Sequence, residues 1–169
     1  LTSGVVDQVF VLEGARVSKG EALATLIDDD ARLDLAEAEA RVAAARAALA
    51  STEADLEAAR AALEARKSGV AAARARLAES EDDANRLSRI ESEAVPGGDI
   101  RQASIRVEVR QGELAARVAE EAEWASRLAA RKVAVEEARQ EVKRAGVVRD
   151  ERQLALDRTR IASPVDGVI

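Results

Sequence analysis

The side chains able to do chemistry in this chain are almost all carboxylates and guanidinium groups. Its 169 residues include 32 Asp and Glu and 26 Lys and Arg, with no histidine and no cysteine. That removes the usual transition-metal ligands, the Ser-His-Asp and Cys-His nucleophiles and histidine acid–base work, and leaves no thiol for redox chemistry. Clustered carboxylates remain, among them Asp28-Asp29-Asp30 and pairs such as Asp82-Asp83. Asp28-Asp29-Asp30 has the hard oxygens a divalent cation prefers. It lacks the spaced ligand loop of a calcium site, however, and it immediately precedes a long helical pattern. It reads as a helix start, with one Asp as N-cap and the acids favoured by the helix dipole. Asp82-Asp83 reads as a solvated helix face, with no cleft to perturb a pKa. No phosphate-binding glycine loop occurs. Neither an enzyme nor a bound cofactor or metal is expected.

The elements that position these charges are mostly helical. Aromatic residues are limited to Phe10 and Trp124, and 34% of the chain is charged. Alanine, leucine, glutamate and arginine in such proportions mark long helices and coiled coils. The net charge of −6 is mixed along the chain, without the basic stripe a nucleic acid would require. No apolar run is long enough to cross a bilayer. No leader pattern is present, and the second β-segment stops as its strand begins, so a fragment of a longer protein is expected.

From Ala31 a heptad of large residues runs through Leu35, Val42, Leu49, Leu56, Leu63, Val70 and Leu77. Small residues follow three positions later at Ala38, Ala45, Thr52, Ala59, Ala73 and Ser80. This is a narrow seam suited to one partner helix. The pattern weakens from Asn85, and Val95-Pro96-Gly97-Gly98 breaks it, with Asp99 placed to cap a second helix. That helix carries Ile100, Val107, Leu114, Leu128, Val135, Val142 and Leu156, and Glu121 and Arg149 interrupt its register. The expected fold is mainly α: an antiparallel two-helix coiled-coil hairpin over residues 29–159, with its tip at about 95–98. Arms of some sixty residues would be roughly 90 Å long. Folding them symmetrically about that tip puts Leu49 opposite Ala145, Leu56 opposite Ala138 and Trp124 beside Gly69.

The two ends differ from the middle. Val5, Val9 and Val11 with Asp7 between them suggest a half-buried strand, Ala22 to Ile27 a second, and Glu13-Gly14 and Lys19-Gly20 the turns. Residues 1–28 and 160–169 should form a small, incomplete β base. In it Val5, Val9, Phe10, Leu23 and Leu26 would pack on Ile161, Val165 and Val168.

The segments Val5 to Leu23 and Leu156 to Ile169 resemble the two half-motifs of a biotinyl/lipoyl-like domain, with turn glycines at Gly4, Gly14, Gly20 and Gly167. Half-motifs flanking a helical hairpin resemble the HlyD-like periplasmic adaptors, the membrane fusion subunits of bacterial export pumps. The resemblance implies a parent protein anchored to the inner membrane and lying in the periplasm. It also implies a homo-oligomer, typically a hexamer, that bridges an inner-membrane transporter and a TolC-like outer-membrane channel. Family members carry an Arg-Leu-Ser pattern at the hairpin tip. Here Arg86 and Ile90 match the first two spacings and Gly97 stands at the third, while alignment on the turn selects Asn85 and Pro96 instead. The implied channel contact is therefore Arg86, Ile90, Val95, Pro96, Gly97 and Gly98. Lys19 does not occupy the position that carries a prosthetic group in lipoyl domains. A cytoskeletal or scaffold coiled coil, or a lipid-surface helix pair, is the alternative. The first leaves the β-segments unexplained, and the second needs a wider apolar face.

Overall fold

A computed structural model describes residues 4–89 and 97–169. The order is β1 (Val6–Val9), β2 (Arg16–Val17), β3 (Ala22–Leu26), α1 (Asp29–Arg89), α2 (Gly97–Asp157), β4 (Arg160–Ala162) and β5 (Gly167–Val168). The fold is a helical hairpin with a few short antiparallel strands, as the patterning predicts. It divides into two compact units: Leu1–Ala50 with Glu137–Ile169, and Ser51–Glu136.

In the first unit the strands form two small sheets, one ordered β1-β3-β4 and the other β2-β5, all antiparallel. The expected apolar packing of the base is largely absent. Leu26 and Val17 are buried, but Val5, Val9, Phe10, Ile161, Val165 and Val168 are exposed. Two physical reasons account for this. Among the described residues no second layer covers β1, an edge strand with every residue exposed. In addition, the ladder shifts register between Val6 and Gln8, so a bulge at Asp7 disrupts the simple alternation.

α1 starts where the acidic triplet predicts. The Arg32 amide donates to the Asp28 carbonyl, the first helical bond. The Arg32 Nε also lies 2.8 Å from Asp28 Oδ1, and this hydrogen bond together with the charge of Asp28 raises the guanidinium pKa. Asp29 and Asp30 occupy the first turn, where they face the positive end of the dipole. α2 ends at Asp157, and the Thr159 hydroxyl caps the Leu156 carbonyl at 2.7 Å.

The α1 seam is as the heptad predicts: Ala38, Val42, Leu56, Ala59, Leu63, Val70 and Ala73 are buried. On α2, Ala103 and Val135 are buried. Glu121 and Arg149, expected to interrupt the register, are half-buried on the same line as their apolar neighbours. The seam is thin enough for a long side chain to lay its stem across it and keep its charge near water.

Candidate functional site: the hairpin end and the β base

The hairpin end is built from the last turn of α1 and the first turn of α2. Arg86 and Arg89 stand in the final turn of α1, where cations complement the negative end of the dipole. The Arg86 guanidinium pairs with Asp83 one turn earlier, and its side chain is 72% exposed. Gly97 and Gly98, expected in the reversal, are instead the first residues of α2. Asp99 accordingly lies inside the first turn and is not the residue before it. A helix start tolerates glycine because its first amides have no internal partner to lose, and an acid there is favoured. Ile90, Val95 and Pro96 lie outside the described residues.

Three ion pairs report the register of the two helices. Arg152 meets Asp34 at 2.8 Å in the first unit. In the second unit Arg131 meets Asp55 at 3.3 Å and Arg66 meets Glu120 at 3.6 Å. This pairing puts Leu56 level with Ala130, not Ala138, and Trp124 level with Ala62, not Gly69. The register expected from the sequence differs because it counts Gly97 and Gly98 in the turn, whereas both belong to α2. With both in α2, the midpoint of the hairpin falls earlier in the chain. An added Cβ at Gly69 would meet nothing within 4 Å, so that glycine makes no room for an indole.

Trp124 is held between two arginines, with the Arg127 guanidinium 4.8 Å and the Arg66 guanidinium 5.5 Å from the ring centroid. Arg127 is in turn paired with Glu123. Beside the indole lies a groove floored by Ala58, Ala59 and Ala62. This cluster is not evident from the heptad alone. The signal available was Arg66, standing in the heptad where the other turns have small residues.

In the β base the two chain segments interlock through their backbones. The Gly20 amide donates to the Ser163 carbonyl at 2.7 Å, and the Ser163 amide to the Glu21 carbonyl at 2.9 Å. The Gly14 amide donates to the Ile169 carbonyl, and the Ile169 amide to the Ala15 carbonyl, both at 3.0 Å. The Lys19 amide donates to Asp166 Oδ1 at 2.7 Å. Gly14 and Gly20 have φ of 85°, which explains glycine at both turns. Gly4 is fixed differently: a Cβ there would lie 3.1 Å from the Leu26 side chain. Gly167 pairs with Val17 in the β2-β5 ladder and has open space around it.

These arrangements offer backbone ladders, a charged helix end and exposed apolar strands. Among the described residues no group of three or more acidic side chains could hold a metal ion, and no helix is long and apolar enough to cross a membrane. No protein-family model and no curated protein matches the chain. Solved structures do. The periplasmic adaptor protein EmrA is 19% identical, with 98% of this chain and 62% of that one covered and a TM-score of 0.47. MacA from Actinobacillus actinomycetemcomitans is 21% identical over 99% of this chain and 39% of its own, with a TM-score of 0.40. The soluble domain of LipC, a membrane fusion protein of a type I secretion system, is 15% identical over 99% and 88%, with a TM-score of 0.43. The chain thus spans under two thirds of EmrA and well under half of MacA.

Proposed function

We propose that this chain is the hairpin-bearing part of a periplasmic adaptor in a bacterial tripartite export system. In this reading it works as a homo-oligomer and binds no nucleic acid. Its parent protein is anchored at the inner membrane, and the hairpin reaches from the transporter toward a TolC-like outer-membrane channel. The observation that carries the reading is the interlock of Gly14 and Gly20 with Ile169 and Ser163. It closes a β base across the whole length of the chain, so that two helices of 61 residues leave and return at one place. A scaffold coiled coil needs no such base. The role is mechanical: it presents a helix end for docking.

At that end Arg86 is the contact residue. It is exposed, and a guanidinium can donate several hydrogen bonds to carbonyls and carboxylates at a helical channel mouth. The test is export by cells carrying Arg86→Asp, with Arg60→Asp as a control on the exposed side of α1. Export should be lost at the first and largely kept at the second, with helix content unchanged in both. Normal export with Arg86→Asp would remove the docking claim.

A further inference from the structure

Two helices that lie side by side need not be equally strong. In the first unit the α1 stretch from Glu37 to Ala43 is alanine, glutamate and arginine apart from the buried Val42, and Arg41 is paired with Glu37 one turn earlier. These are good helix formers, so this stretch needs little from its neighbour. By the register of Asp34 with Arg152, the level stretch of α2 runs from Lys143 to Arg149. It holds Gly146, Val147 and Val148 in succession. Glycine leaves a helix backbone unrestrained, and branched valines lose side-chain freedom in a helix. Burial would offset that, but it is missing. Val147 is 58% and Val148 36% exposed. Among the described residues of α2 from 137 onward none is buried, whereas Ala38 and Val42 on α1 are.

Further observations fall on the same turn. The Arg149 Nε is enclosed without a hydrogen bond, since Asp150 Oδ1, 2.9 Å away, forms an ion pair that lacks hydrogen-bond geometry. An unmatched enclosed donor favours any state in which water reaches it. Ala38, Ala45, Ala145 and Val148 line a groove of about 460 Å³, so small side chains leave the seam underfilled there. Among the described residues from Ala145 to Glu151 no side chain is ion-paired to α1, and the tie resumes at Arg152. We infer that α2 carries a release point: the turn from Ala145 to Arg149 opens by itself while the level turn of α1 stays helical. Sparse burial is what lets a segment open locally below the cost of global unfolding. Paired helices without such a point take up a pull only by loosening the seam, whereas one turn that opens alone takes it up locally. The inference goes beyond the adaptor reading and does not depend on it, because it concerns the chain by itself and stands whether or not Arg86 touches a channel.

Hydrogen exchange of the full chain, read by mass spectrometry as protection factors, tests it. Amides 147–151 should be protected at least about tenfold less than amides 39–43, the size expected for one glycine and two valines in place of alanines. Gly146→Ala should raise protection at 147–151 by about fivefold and leave 39–43 unchanged. Equal protection of the two stretches, or no gain at 147–151 in Gly146→Ala, would overturn the inference. So would an equal gain in both helices, because they would then open only together.

Discussion

Asp34 on α1 and Arg152 on α2 meet at 2.8 Å, although 118 residues separate them in the chain. Asp55 with Arg131 and Arg66 with Glu120 keep the same offset. Each step forward along α1 is matched by an equal step back along α2. Asp29, the first residue of α1, is thereby level with Asp157, the last of α2. Such exposed pairs contribute about 0–1 kcal/mol each, so they report the register more than they impose it. The buried line of Val42, Leu56, Leu63 and Val70 imposes it.

That division gives a direct test by mutation. Leu56→Ala should destabilise the chain by about 2–4 kcal/mol, because it empties a buried position on a seam with few neighbours to refill it. Glu57→Ala removes only an exposed pair with Arg60 and should cost under about 1 kcal/mol. Urea titration followed by circular dichroism measures both. Equal costs would mean that the seam runs along a different face.

Glycine-to-alanine changes should have opposite signs at two positions. Gly69 is helical with open space at its Cβ, so Gly69→Ala should stabilise by up to about 1 kcal/mol. Gly20 has a φ of 85°, so Gly20→Ala should destabilise by about 1–2 kcal/mol. It should also speed exchange of the amide that holds Ser163. Thermal denaturation and hydrogen exchange read the two effects. A large loss at Gly69 would restore the register in which Trp124 packs on it.

Trp124 is the only tryptophan, so its fluorescence reports the arginine stack without interference. Arg66→Ala should shift the emission and lower stability by about 0.5–1 kcal/mol, the size of an exposed cation–π contact. Arg74→Ala, a surface arginine outside the stack, should leave the emission unchanged. An unshifted spectrum in Arg66→Ala would show that the indole is not held there.

Much of this architecture was legible in the sequence because long-period patterning survives without tertiary information. The heptad from Leu35 to Leu77, the helix start at Asp28 and the turns at Gly14 and Gly20 all follow from local spacing or backbone demand. Facing residues were harder to assign. Pro96-Gly97-Gly98 reads as one turn signal, yet both of its glycines begin a helix, and that shifts every partner along α2. Burial in the base was illegible for another reason. Alternating valines show that a strand has an apolar face, but not that a layer exists to cover it, and Val5, Val9 and Val168 remain exposed. The Arg66–Trp124–Arg127 stack needed the true register before its members could be seen as neighbours.

The central claim is that the hairpin end docks on an outer-membrane channel, and site-specific photocrosslinking in cells tests it most directly. A photoreactive residue at position 86 should capture an outer-membrane channel protein, identified by mass spectrometry. The same probe at position 60, on the exposed side of α1, should not. Capture of a channel at position 60 alone, or of none at either position in cells that export normally, would contradict the account.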